Sequence, residues 1–248
     1  MNTPPMPSPE NMAQALEQHP DYRILRRLQP KPGNWHPEHR GKRCVGVVLD
    51  TETTGLLLDD DRVIELGMIR FEFDPQTGQV LGVGQIFDAL EDPGFPIPPA
   101  STAVHHITDQ MVQGQQINDA EVADFLKDVE VVIAHNAAFD RPFVEARWPL
   151  FESMKWACTI KDIDWRQEGF GSAKLEYLLA SQGLFYEAHR AEEDCWALVQ
   201  LLDFVLPNSQ QPALLGLLER LNQPRWRVFA TQAPFEQKDS LKMRSYRW

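Results

Sequence analysis

The stretch Val47-Val48-Leu49-Asp50-Thr51-Glu52-Thr53-Thr54-Gly55 decides the fold. It closes an apolar run that begins at Cys44, and a short run of this kind predicts a strand buried on both faces. The run ends in two carboxylates spaced i, i+2. Side chains alternate along a strand, so Asp50 and Glu52 share one side if the extended backbone continues that far. Two anions at such range raise each other's pKa unless a cation or a proton compensates, and a hard divalent metal is the simplest partner. Thr53-Thr54-Gly55 then offers hydroxyls, backbone N–H groups and a turn where a phosphate could sit. An isolated Asp-x-Glu is more often a solvated strand end, so the rest of the chain must support the assignment.

With 248 residues, 43% of them hydrophobic, the chain can bury a full core, and one α/β domain with appendages is the simplest organisation. No apolar run reaches the ~18 residues of a membrane span, and the Pro-rich start, Met1 to Glu10, lacks the basic-then-apolar pattern of a leader. A soluble, cytoplasmic protein is expected. Cys44, Cys158 and Cys195 are odd in number, far apart and without a Cys-x-x-Cys pair, which predicts neither a disulfide framework nor a zinc site.

The net charge of -12 argues at face value against a nucleic-acid binder. Its distribution says more. Arg23, Arg26, Arg27, Lys31, Arg40, Lys42 and Arg43 face only Asp21 and Glu38 in residues 21–43. Arg220, Arg225, Arg227, Lys238, Lys242, Arg244 and Arg247 face only Glu219, Glu236 and Asp239 in the tail. An acidic body with two basic ends could bring a polyanion to a metal-loaded acidic site, although charge runs are more often solvated surface.

Taken in order, residues 1–20 are expected to be disordered and 21–43 to form a basic arm with a short helix before Pro30. After the opening strand, Arg62 to Phe73 and Val80 to Phe87 predict a hairpin across the turn Asp74-Pro75-Gln76-Thr77-Gly78. Thr108 could cap a short helix, and Asn118 or Asp119 the next, running to about Asp128. Val131 to Ala134 is a short buried strand, followed by a helix through Trp148 that Pro149 stops. Met154 to Thr159 is the last core strand, Ser172 to Gln182 a helix closed by Gly183, and Arg190 to Leu206 a long helix stopped by Pro207.

That long helix carries the second clue. Asp194 lies on the apolar stripe of Ala191, Leu198, Leu201, Leu202 and Val205, and a carboxylate facing the core needs a metal, a cation or a raised pKa. Glu192 and Glu193 lie off the stripe and suit the helix N-terminus. Asp140 directly follows a strand and opens a helix, where open α/β sheets place ligands. His189 falls near the first turn above Asp194. Asp50, Glu52, Asp140 and Asp194 together supply the charge of two divalent cations from three elements.

In these motifs the chain resembles the DEDDh 3′–5′ exonucleases, the family that includes the proofreading subunit of bacterial replicative DNA polymerase. The first family motif matches Asp50-Thr51-Glu52-Thr53-Thr54-Gly55, the second His135-Asn136-Ala137-Ala138-Phe139-Asp140, and the third His189-Arg190-Ala191-Glu192-Glu193-Asp194. His105, Ile107 and Thr108 are similar to the family's His-x-Ile-Thr loop, with His106 where glycine is common. The resemblance spans about residues 44–206 in the correct order and leaves the arm, 1–43, and the segment 207–248, a helix and a basic aromatic tail, outside it. It implies a ribonuclease H-like α/β fold, a mixed five-stranded sheet with strand two antiparallel and helices on both sides. It further implies Asp50, Glu52, Asp140 and Asp194 as ligands of two Mg2+, with Mn2+ as substitute, and His189 as general base. Thr53, Thr54 and Leu56 would contact the terminal nucleotide, with Asn136, Phe139 and the His105 loop shaping its surroundings.

The expected activity is hydrolysis at single-stranded or frayed 3′ ends, DNA favoured over RNA, releasing nucleoside monophosphates, with a polymerase or repair assembly as partner. An exoribonuclease or short-oligonucleotide hydrolase of the same fold is the nearest alternative. A non-catalytic polymerase-accessory module has no need to gather four carboxylates and a histidine, and an aspartyl phosphatase would carry a second aspartate where Glu52 stands.

Overall fold

The computed structural model describes residues 7–223 and 231–244. Three strands open the domain: β3 (Cys44–Thr53), β4 (Val63–Phe73) and β5 (Val80–Leu90), preceded in the arm by α1 (Pro9–Glu17), β1 (Arg26–Arg27) and β2 (Gly33–Asn34). After α2 (Pro99–His105), α3 (Asp109–Val112) and α4 (Asp119–Phe125) come β6 (Val131–Ala134), α5 (Ala137–Arg147), β7 (Trp156–Cys158) and α6 (Thr159–Asp162). The chain continues through α7 (Leu175–Ser181), β8 (Leu184–Phe185), α8 (Ala191–Asp203), α9 (Ala213–Leu221) and α10 (Lys238–Met243).

The main sheet runs β2-β5-β4-β3-β6-β7. β4 is antiparallel to β3 and β5, whereas β6 is parallel to β3 and β7 to β6. The five expected strands are therefore present, and a sixth, short strand is added by the arm, where β2 pairs with β5.

Strand parity sorts the core into two layers. Val48, Ile69, Phe71 and Ile133 pack on one face with Leu178, Leu198, Leu201 and Leu214 of α7, α8 and α9. Val47, Leu49, Met68 and Val132 pack on the other with Val122, Phe125, Phe143 and Val144 of α4 and α5. Asp50 and Glu52 have the parity of Val48 and so turn toward α8, while Thr51 turns toward α5. β3 stays extended through Thr53, further than its apolar run, and this extension keeps both carboxylates on one side. Gly67 lies opposite Asp50 in the register. A Cβ on Gly67 would fall 2.5 Å from the carbonyl carbon of Ala191, so the missing side chain is what lets the first turn of α8 lie on β4.

The arm differs from expectation. Residues 9–17 form a helix, capped by Ser8 accepting from the Asn11 N–H and started by Pro9, although none of its residues is buried. The helix expected before Pro30 is instead the strand β1, which pairs in parallel with β8 through Arg26 N–H to Gly183 O and Leu28 N–H to Phe185 O, both 2.8 Å. All seven basic residues of the arm have partners within the chain. Arg23 donates to Ala180 O, Arg26 pairs with Glu10 and Glu17, Arg27 with Glu187 and Arg43 with Glu72. Arg40 donates to Pro37 O, Lys42 lies 4.0 Å from Glu130 and Lys31 stands over the Trp35 ring. The arm is a clasp on the domain: Arg26, Arg27, Lys42 and Arg43 face carboxylates, while Arg23, Arg40 and Lys31 rest on carbonyl and ring partners. Of the basic aromatic tail, Arg225, Trp226, Arg227, Phe229, Tyr246, Arg247 and Trp248 lie outside the described residues.

Gly67→Ala should lower stability by about 1–3 kcal/mol, the usual cost of overpacking a fitted contact. Gly84→Ala, whose Cβ would meet nothing closer than 3.8 Å, should cost far less by the same urea titration. Equal midpoints for the two variants would show that α8 does not depend on the Gly67 contact.

Candidate active site

The ends of β3, β6 and α8 meet at a cavity of about 350 Å³ lined by Asp50, Thr51, Glu52, Leu56, His135, Asn136, Phe139, Asp140, His189 and Asp194. Its size falls in the usual range of ligand pockets, roughly 300–1,000 Å³. Oxygens of Asp50, Glu52 and Asp194 lie within 4.8 Å of one another. Asp140 enters from the first turn of α5, where Asn136 turns the chain through a left-handed conformation (φ 80°) after β6. Its Oδ1 accepts from the Thr51 N–H at 3.1 Å and the Thr51 hydroxyl at 2.9 Å, so the residue between the two carboxylates of β3 fixes the carboxylate of α5.

Asp194 is held at both oxygens. The Tyr186 hydroxyl donates to Oδ1 and the His189 N–H donates to Oδ2, each at 2.8 Å. That second bond needs the left-handed turn at His189 (φ 69°), which leaves the His189 side chain exposed on the cavity rim. Behind the site, Glu65 is fully buried opposite Glu52. It receives Arg190 Nη2 at 2.6 Å and Nε at 2.9 Å together with the Ala191 N–H at 3.0 Å, which ties the start of α8 to β4.

Burial, reinforced by mutual repulsion, raises the carboxyl pKa values. Glu52 is pushed up to about 8, first by burial and then by Asp194, Glu65 and Asp140. Burial carries Asp140 to about 7 against the hydrogen bonds from Thr51. Asp50 rises well above the usual carboxylate range through burial and then Asp140, Asp194, Glu52 and Glu65, and Asp194 rises through burial against the bonds from Tyr186 and His189. No lysine or arginine lines the cavity among the described residues. An all-oxygen, uncompensated group of this kind fits a hard divalent cation.

Of the residues singled out in the sequence, Asp50, Glu52, Asp140, Asp194, His189, Leu56, Asn136 and Phe139 all line this cavity. Thr53, Thr54 and His105 do not. The Thr53 hydroxyl donates to Gly55 O, and the Thr54 hydroxyl donates to Asp61 while accepting from the Arg62 N–H, so both brace the turn after β3. His105 is buried, its Nδ1 accepting from the Ile107 N–H, and burial lowers its pKa against the pull of Glu65. Val205, placed on the stripe of α8, lies beyond the helix and is half exposed. The sequence reading passed over Thr51, Glu65, Tyr186 and Arg190. Glu65 had a usable signal, a carboxylate amid the apolar run from Val63 to Phe73; Tyr186 had none.

The exonuclease family model RNase_T matches residues 47–202, from β3 to the end of α8. The DNA polymerase III subunit epsilon of Treponema pallidum is 31% identical over 192 residues, covering 69% of this chain and 86% of that protein. The chain belongs to the DEDDh 3′–5′ exonucleases. It is an enzyme of that class, a nuclease dependent on divalent metal. A DNA polymerase III epsilon-like protein of Rhodobacter capsulatus is 39% identical over 173 residues, which cover 68% of this chain and 21% of that longer protein. Exonuclease I of E. coli, solved with single-stranded DNA and zinc, has the same fold at a TM-score of 0.54 and 20% identity, over 69% of this chain and 42% of that one.

The raised carboxyl groups set the pH dependence of the metal-free exonuclease. A carboxyl that binds its proton more tightly in the folded state contributes stability that is fully present below its unfolded pKa, about 4, and is lost as pH rises through the folded value. For Glu52 that loss extends to about 8. Melting temperature in chelator should therefore fall between about pH 5 and 8, Glu52→Gln should flatten the fall, and divalent cation should raise the melting temperature most at pH 8. Superimposable pH profiles for wild type and Glu52→Gln would contradict this.

Proposed function

We propose that the protein removes nucleotides from the 3′ ends of DNA, single-stranded or frayed, and releases nucleoside monophosphates. The observation that carries this reading is the trio Asp50, Glu52 and Asp194, with oxygens within 4.8 Å, in a cavity whose rim holds His189. We assign the carboxylates of Asp50, Glu52, Asp140 and Asp194 to two Mg2+, for which Mn2+ can substitute, because hard cations prefer oxygen ligands. Bound there, the ions supply Lewis-acid polarisation of the phosphodiester and neutralise its charge.

The chain's own groups do the rest. His189 takes the proton of the attacking water at an imidazole nitrogen, from an exposed position that the Asp194 hydrogen bond to its backbone fixes. Leu56, 80% exposed, and Phe139, packed on Phe143 with ring centroids 5.1 Å apart, both line the cavity and offer apolar surface to a base. Asn136 adds amide donors and an acceptor to the same lining. DNA is favoured as substrate because the T. pallidum relative is named a DNA polymerase III subunit and exonuclease I was solved with single-stranded DNA. The name of the T. pallidum relative, a DNA polymerase III subunit, favours a polymerase assembly as partner, with a repair assembly as the alternative. No helix among the described residues is long and apolar enough to cross a membrane. Three free, buried thiols fit a reducing cytoplasm.

Asp50→Asn and Asp194→Asn should each abolish hydrolysis while circular dichroism stays unchanged. Near-normal turnover of either at saturating Mg2+ would remove the metal-site assignment. His189→Ala should lose about 10²–10⁴-fold in turnover, the typical contribution of a general base, yet still bind cation. Wild-type rates in that variant across pH 6–9 would make the histidine structural. Assays on DNA, RNA and a simple phosphate ester, with and without Mg2+, decide the substrate, and faster cleavage of RNA would overturn the DNA assignment.

A further inference from the structure

Tyr186 lies outside the three family motifs, yet its hydroxyl reaches the carboxylate of the third. The Tyr186 bond to Oδ1 and the His189 N–H bond to Oδ2 hold one donor on each Asp194 oxygen, and an oxygen of this carboxylate lies within 4.8 Å of oxygens of Asp50 and Glu52. The carboxylate is thereby locked in rotation before any cation is present. What holds Tyr186 is the arm. β8 ends one residue earlier, at Phe185, and is pinned by β1 through Leu28 N–H to Phe185 O, while Arg27 stands over the Phe185 ring and pairs with Glu187. Tyr186 thus sits between two anchored neighbours. The family match begins at residue 47, so the arm is an addition to the matched domain.

We propose that Tyr186 is a positioning residue for the metal centre and that the arm, by pinning β8, keeps its hydroxyl on Asp194. The inference rests on the metal-site reading above. Groups that orient a metal ligand typically contribute 10–100-fold in affinity, and Tyr186→Phe removes one oxygen without disturbing the β1–β8 pairing.

The test is calorimetric titration of the full chain with Mn2+, without nucleic acid. Tyr186→Phe should bind about tenfold or more weakly with its fold intact, and its exonuclease rate should need correspondingly more cation while approaching wild-type turnover at saturation. Leu28→Pro, which deletes the N–H that Phe185 accepts, should weaken binding relative to Leu28→Ala, which keeps it. In the Tyr186→Phe background, Leu28→Pro should add little, because both changes act through one hydrogen bond. Unchanged Mn2+ affinity in Tyr186→Phe overturns the role of Tyr186, and this variant decides that point even if Leu28→Pro does not fold. Additive losses overturn the route through the arm. A wild-type protein that binds no Mn2+ overturns the metal-site reading itself, a result distinct from equal binding by wild type and variant.

Discussion

Three carboxylates whose oxygens lie within 4.8 Å of one another repel, and the domain is arranged to bear that repulsion. Two unit charges 4 Å apart interact by about 4 kcal/mol at an effective dielectric near 20. A whole domain is stable by only about 5–15 kcal/mol, so such a group cannot be held by a flexible loop. Here Asp50 and Glu52 are fixed on a central strand paired on both sides, between β4 and β6. Asp194 comes from a helix whose buried face carries Cys195, Leu198, Leu201 and Leu202 into the core. The apolar burial that makes the fold also prevents the carboxylates from relaxing apart.

Glu65 shows how the same chemistry is put to a different use one strand away. It is the cross-strand neighbour of Glu52 and more deeply buried than any of the three. Arg190 and the Ala191 N–H satisfy it, so it is a structural anion that docks the start of α8, whereas Asp50 and Glu52 have no basic partner of their own. A buried ion pair adds little net stability against an apolar substitute, but losing either partner strands a charge. The pair therefore fixes the turn of His189 and Arg190 by penalising every arrangement in which they separate. Gly67, two residues further along β4, clears the space that this docking needs.

The sheet and the site carboxylates were legible because they rest on patterns that physics makes local. The apolar runs from Cys44 to Leu49 and from Val63 to Phe73 demand burial, and the position of Asp194 on a helical stripe demands a particular side. Element ends were less legible. β3 continues through Thr53 because β4 supplies partners that the segment itself does not announce. Thr53, Thr54 and His105 belong to matching motifs, but their polar atoms turn to backbone and side-chain partners within the loops. The packing of the arm was illegible for a similar reason. Its arginines stand as a basic run in one dimension, whereas Glu10 and Glu17 of α1 and the distant Glu72 and Glu187 are partners of Arg26, Arg43 and Arg27. Tyr186 could not be found at all, since only the turn before α8 brings its hydroxyl back to Asp194.

Four of the arm's seven cations already face carboxylates of this chain, so the charge of the site itself weighs on the approach of a polyanion. The chain carries -12 overall, and the cavity presents four carboxylates with no lysine or arginine among its described lining residues. A phosphodiester brought to that cavity is repelled to the extent that the carboxyl groups are ionised, and a divalent cation that displaces their protons also neutralises their charge. Substrate and divalent cation must then bind with positive coupling, each raising the affinity for the other by the same factor. Residues that set the orientation of the carboxylates, Thr51 on Asp140 and Tyr186 on Asp194, consequently bear on nucleic-acid binding although neither hydroxyl needs to touch the strand. An acidic nuclease of this build draws its affinity for a polyanion from the same charges that would otherwise exclude it.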